Sequence, residues 1–292
     1  MKKRIITYLF GLFLFGPVIG FCEEYLQLTD ILPKGHFDMT TGIFHSEFSN
    51  KAGTDIFGSP TRGREFRKQT TEFVDVRYGL GLDSQMGVEI PYSSQREYKY
   101  KTFPGSFLMS PGKPQDSDGI ENLEFFFRHR FLGGGDSRFS LAGHVGLDAN
   151  TADRKYTSLS LGVSAGWAFD SSSKGYVRYL HIFTDQDSTS DGDELSASLY
   201  KKITPTITLI PTYSYTHYEA ARVGSFTLAT PRDVQSIGIS AQLKILPRSY
   251  LIPYIGFDFH EGYTDDLPFK RQSSNDGKTF GLSFYHAFEP IR

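Results

Sequence analysis

One cysteine and one tryptophan stand in 292 residues, and no internal stretch is apolar for long enough to cross a bilayer as a helix. The lone Cys22 excludes an intrachain disulfide, so packing and hydrogen bonding must hold the fold. An excess of either charge is missing too. With 31 Lys and Arg against 33 Asp and Glu the formal net charge is −2, without basic clusters, which argues against a nucleic-acid partner. The exception to the missing apolar runs is the start. Lys2, Lys3 and Arg4 precede an apolar run over 5–21, and Glu23 and Glu24 follow, which is the layout of a secretory signal peptide. A retained membrane anchor is the alternative reading. The expected division is a signal peptide over 1–22, cleaved after Gly20 or Cys22, and a short periplasmic segment over 23–34. A barrel follows over 35–288, with a tail over 289–292. Loss of the three leading cations takes the formal charge to −5. Lipidation of Cys22 would need a small residue before it, and Phe21 is not small.

What the chain has in quantity is aromatic residues (15%), glycine (29 residues) and alternation. Over 70–93, Val74, Val76, Tyr78 and Leu80 alternate with Phe73, Asp75, Arg77 and Gly79. After Gly81, Leu82, Asp83 and Ser84 the pattern resumes as Met86, Val88, Ile90 and Tyr92. Period two on both sides of a tight turn predicts a β-hairpin with one apolar face. A strand over 35–48 precedes it, and four more hairpins follow, with tight turns at 133–136, 170–174, 204–205 and 247–249. A last strand carries Phe280, Leu282, Phe284, His286 and Phe288. The facing of the strand over 176–184 stays open. Loops are expected at 49–68, 94–119 and 261–276.

Twelve antiparallel strands result, with five tight turns at one end and six longer loops at the other. An even number of strands of about ten residues with this asymmetry predicts a 12-stranded antiparallel transmembrane β-barrel, with short periplasmic turns and long extracellular loops. A sheet in hydrocarbon must close on itself, because an edge N–H or C=O would find no water. Tyr78, Phe131, Trp167 and Phe169 fall near short turns, and Tyr92, Tyr215 and Phe259 near long loops, as two interfacial girdles would. The expected location is the bacterial outer membrane.

Leu32-Pro33-Lys34-Gly35-His36-Phe37 with Thr40-Thr41-Gly42-Ile43-Phe44, Arg77-Tyr78-Gly79-Leu80 with Met86-Gly87-Val88-Glu89-Ile90-Pro91-Tyr92, and Gly119-Ile120-Glu121-Asn122-Leu123 carry a resemblance. They resemble the phenol meta-pathway-type outer-membrane proteins, a family of channels associated with uptake of hydrophobic or aromatic compounds. The resemblance covers the first half best and rests on turn and strand patterns. It implies passive uptake of small hydrophobic or aromatic solutes. Glu121-Asn122 departs from the Gly-Asp common in that family. Phe288 matches the terminal aromatic read by the outer-membrane assembly machinery, although four residues follow it.

The face turned inward offers pore-lining candidates: Asp75, Arg77, Glu89, Glu124, Arg128, Arg130, Arg138, His144, Asp148, Lys244 and Asp258. Rings of charged side chains select solutes; equally, such charges can pair across and fill the lumen. Ser158, Ser160, Gly162, Ser164, Gly166 and Ala168, all small, favour free space along one strand. His45, His129, His217 and His286 sit on the apolar face near strand ends, where an amphipathic ring suits the interface. His144 alone is mid-strand and inward. No ligand spacing recurs around it, so neither metal nor catalytic residues are expected and no cofactor is implied. The expected partners are outer-membrane lipid, the assembly machinery and a small-molecule solute. The rival readings are a surface or structural barrel with a filled lumen, and an outer-membrane lipid hydrolase. The second requires a nucleophile, a base and an orienting group in contact.

Overall fold

The computed structural model describes residues 29–56, 59–102, 119–120, 122–134, 137–149, 157–185, 190–223, 226–260, 263–265 and 270–288. The expected signal peptide, the tail and Cys22 lie outside them. Twelve long strands follow in chain order: β1 (Phe37–Ile56), β2 (Ser59–Gly81), β3 (Ser84–Thr102), β4 (Leu123–Leu132), β5 (Phe139–Ala149) and β6 (Ser158–Asp170), then β7 (Ser173–Thr184), β8 (Gly192–Thr204), β9 (Ile207–Tyr218), β10 (Arg232–Leu246), β11 (Ser249–His260) and β12 (Lys270–Ala287). Each pairs antiparallel with its neighbour, and β1 pairs with β12, from Asp38 opposite Ala287 to Asp55 opposite Lys270. The sheet is therefore a closed barrel. Short strands extend it: Gly119–Ile120 pairs with β3 and Tyr263–Asp265 with β12, while Ala221–Val223 and Phe226–Ala229 pair with each other in a separate ribbon.

The outer face is apolar along the wall. Val74, Met86, Phe125, Val145, Leu161, Val177, Leu195, Ile237, Phe257 and Phe280 are all exposed. An apolar band of this extent on a closed barrel is a surface for hydrocarbon. The inner face holds the buried polar groups, among them Asp38, Arg77, Gln85, His144, Ser164 and Gln242. The alternation in the sequence thus runs apolar out, polar in.

The hairpin over 70–93 forms as expected. Leu82 (φ 49°) and Asp83 (φ 54°) both adopt left-handed backbone, the two-residue turn whose twist suits a hairpin. Three expected loops are shorter than anticipated. β1 and β2 stay paired out to Ile56 and Ser59, β3 continues to Thr102, and β12 begins at Lys270. In the sequence these parts carry polar residues at both alternating positions, so period two is absent there while the ladder continues. The strand left open, β7, turns Val177, Tyr179 and Phe183 outward, and buries Tyr176 and Leu180 on the inside.

Candidate functional site

The lumen is built from the inward residues of all twelve strands, and its charges are arranged in rows. Asp75 on β2 is the register partner of Glu89 on β3, Glu89 of Glu124 on β4, and Glu124 of Asp148 on β5. Four carboxylates thus stand side by side on adjacent strands. Like charges directly opposed repel, so this row projects negative potential into the lumen. Asp148 is tied down by Ser158, whose hydroxyl donates to it at 2.8 Å.

Toward the short turns the sign reverses. Arg77 follows Asp75 by two residues, Arg128 follows Glu124 by four, and Arg128 faces His144 across the β4–β5 ladder. Arg77 donates through Nε and a terminal nitrogen to the two oxygens of Asp38, at 2.8 and 3.0 Å, and its guanidinium lies 5.8 Å from the ring centre of Tyr285. The Asp38 side chain is fully buried. On the opposite part of the wall Arg178 donates to Glu194 at 2.7 Å. Both pairs join neighbouring strands. They run along the wall.

Aromatic rings share the inner face. Phe44 stacks on Phe73, with centroids 5.5 Å apart, and meets Tyr254 edge-on at 5.9 Å. Phe126 stacks on His144 at 6.2 Å. Each of five inward rings abuts a glycine of a neighbouring strand: Phe44 at Gly281, Phe73 at Gly42, Phe126 at Gly87, Tyr176 at Gly166 and Tyr254 at Gly238. A Cβ at any of these glycines would collide with the ring. The glycines therefore let large rings hug the wall. β6 adds its small residues, with Ser158, Ser164 and Gly166 buried and Ser160, Gly162 and Ala168 partly so.

Of the candidates read from sequence, Asp75, Arg77, Glu89, Glu124, Arg128, His144 and Asp148 converge on this inner wall. The others lie toward the ends. Arg130 reaches the first short turn, pairing with the Asp83 carboxylate and donating its backbone N–H to the Asp83 carbonyl at 2.8 Å. Lys244 is opposite Tyr250 beside the last short turn, and its N–H donates to the Thr206 carbonyl at 2.9 Å. Asp258 accepts from Ser236 at 2.5 Å near the long-loop end. Arg138, in the turn before β5, accepts a bond at its carbonyl from the Ala168 N–H at 2.8 Å. Sequence reasoning missed Asp38, Arg178, Glu194 and the inward rings Phe44, Tyr176 and Tyr254, although it set Phe73 on the face of Asp75 and Arg77. Alternation alone could have found Asp38, on the same face as Thr40 and Gly42.

The histidines near strand ends take hydrogen-bond partners on the outer face. His45 pairs with Thr70 (3.1 Å), His129 with Ser84 (2.8 Å), His217 with Asp233 (2.7 Å) and His286 with Ser249 (2.8 Å). Two of these are Ser–His pairs, yet among the described residues neither histidine has a carboxylate partner to orient it. His181, also on the outer face, pairs with Asp193 at 2.7 Å. Above the apolar band Glu47 bridges Lys278 (2.6 Å) and Lys68 (2.7 Å), and these two hydrogen bonds hold its carboxyl at about 2. Phe288 follows β12, stacking on Phe37 at 4.3 Å, and its N–H donates to the Phe37 carbonyl at 2.9 Å.

The chain matches no family model and no curated protein. Among solved structures it is similar to an outer membrane channel from Pseudomonas putida F1, with a TM-score of 0.56 and 11% identity over 91% of this chain and 100% of that one. It is also similar to a Pseudomonas aeruginosa FadL homologue (TM-score 0.48, 8% identity, 86% and 90% covered) and to the outer membrane protease OmpT from Escherichia coli (TM-score 0.41, 8% identity, 91% and 99% covered). At 11% identity the likeness to the Pseudomonas putida channel shows the barrel fold alone.

Proposed function

We propose that this barrel is an outer-membrane channel through which small solutes pass passively, with its short turns in the periplasm. The observation that carries the reading is that one charged pair inside the closed wall is reached by solvent. Arg178 keeps 27% and Glu194 21% of their side-chain surface accessible while paired to each other on the inner face. A lumen filled by pairing across it would leave such groups dry. The pairing along the wall and the rings seated on glycines support free space at the centre.

Along β2 a solute entering from the long loops passes Phe73 and the neighbouring Phe44 before Asp75 and then Arg77; along β4 it passes Glu124, then Phe126, then Arg128. Hydrophobic or aromatic solutes suit the flat rings of Phe44, Phe73 and Tyr254, and the sequence resemblance to phenol meta-pathway-type proteins supports the same cargo. The apolar outer face takes outer-membrane lipid as its partner. Phe288, held against Phe37 where β1 and β12 close, is the residue offered to the assembly machinery. The reading asks for no cofactor.

The test is conductance in planar bilayers. The purified protein should give stepwise openings, and Glu89→Gln with Glu124→Gln should move the reversal potential toward anions, because two of four adjacent carboxylates are neutralised. A folded protein that stays electrically silent, or a reversal potential unmoved by the double substitution, contradicts the proposal.

A further inference from the structure

The described residues that precede β1 lie against the inner wall. Thr29, Ile31 and Leu32 are 1%, 9% and 5% exposed. Three contacts fix the segment to three strands. The Leu32 N–H donates to the side-chain oxygen of Gln85 on β3 at 2.9 Å. The Thr29 hydroxyl is 2.7 Å from that of Ser140 on β5. On β2, Gly79 has room only because it lacks a Cβ, which would overlap the Pro33 carbonyl oxygen. A tight turn anchors the near end: the His36 N–H donates to the Pro33 carbonyl (3.1 Å), the Gly35 N–H to Gly79 (2.9 Å), and the Gly79 N–H to His36 (2.9 Å), with Gly35 at φ +79°.

These anchors set the path. From Pro33 to Thr29 an extended chain reaches about 13 Å, and the three strand-to-strand steps from β2 to β5 measure about 14 Å. The segment therefore runs across the strands, over β3 and β4, at the short-turn end. That route passes Arg128, the register partner of the Gln85 anchor on the same inner face, and the Asp30 carboxylate is one of the charges acting on it. Gln85, fully buried, lies beneath it. Ala142, 1% exposed, lies two residues from Ser140, the Thr29 anchor, on the same face of β5.

We infer that residues 29–33 form a strap that narrows the short-turn mouth of the lumen, and that Asp30 on this strap, opposed to Arg128, sets the charge preference there. The inference rests on the channel reading. A solute leaving the lumen passes between the strap and the uncovered part of the wall, and meets a carboxylate where the bare wall would offer a guanidinium.

Cysteine labelling joined to conductance tests it. In a Cys22→Ser background, Ala142→Cys reports access beneath the strap to a water-soluble maleimide. Deleting 29–33 should speed its labelling by about tenfold, as a covered thiol becomes exposed, and raise single-channel conductance about twofold, as a constriction is removed. Gln85→Ala, which removes one anchor and leaves the chain intact, should move both readouts in the same direction. Asp30→Asn should leave the conductance near its original size and shift the reversal potential toward anions. Labelling rates unchanged by both the deletion and Gln85→Ala overturn the strap. Faster labelling in a protein that never conducts sustains the strap as a cover and sinks the channel reading instead. Conductance that rises while Asp30→Asn leaves the reversal potential unmoved overturns the role of Asp30.

Discussion

Arg77 shows how a single residue joins stability to the inner wall. Its guanidinium and the Asp38 carboxylate form two hydrogen bonds in a site where the side chains are 7% and 0% exposed. Fork geometry makes such a pair strong, and burial makes it costly to break. Asp38→Asn keeps the size but removes the charge, leaving Arg77 with Asp75 as its nearest carboxylate, at 3.7 Å. Asp38→Ala removes both charge and acceptor. Refolding titrations into detergent micelles should show Asp38→Ala destabilised by about 3 kcal/mol, with Asp38→Asn losing less. Paired replacement by Leu and Met should recover most of the loss. Equal, negligible losses in all three would mean that the pair is solvated and the lumen near it wide open. Asp38 was legible in the sequence only as a polar position of an alternating strand. Its partner could not be read because register, set by the whole ladder, decides which two strands place their charges opposite one another.

At the scale of the strand, glycine and ring work as a couple. Phe44 on β1 abuts Gly281 on β12, and the two are register partners. Gly281→Val would drive the ring off the wall toward the axis. The expected outcome is a folded barrel with reduced single-channel conductance, restored when Phe44→Ala is added. A loss that Phe44→Ala does not restore would place the fault in the strand itself. Most strands were legible: inside the apolar band one face meets lipid and the other water, so chemistry alternates with every residue. β7 was ambiguous because Tyr176, Leu180 and Ile182 give its inner face an apolar character too. The outer lengths of β1, β2, β3 and β12 read as loops for the opposite reason, polarity at both alternating positions. The strap escaped notice because a short polar and apolar mixture ahead of the first strand carries no periodic signal. Its place is fixed by Gln85, Gly79 and Ser140, up to 111 residues away.

Over the whole molecule, one physical requirement organises the rest. The ladder closes through β1 and β12, so no strand edge faces hydrocarbon, and the residues of every strand divide between lipid and lumen. Number of strands, closure and sidedness were legible from alternation and turn spacing. Which charges meet, and how much of the lumen remains open, depend on shear and side-chain direction, which no single stretch of sequence encodes. The claim most worth testing is that division itself. In protein reconstituted in liposomes on a Cys22→Ser background, single cysteines placed in turn at Leu159, Ser160, Leu161, Val163, Trp167 and Ala168 on β6 would be exposed to a charged, water-soluble maleimide and to a quencher carried in the lipid tails. The account predicts alternation: positions 160 and 168, inward and partly exposed, labelled from water and unquenched, positions 159, 161, 163 and 167 quenched by lipid and unlabelled. Labelling on the second set, or no alternation at all, would contradict it.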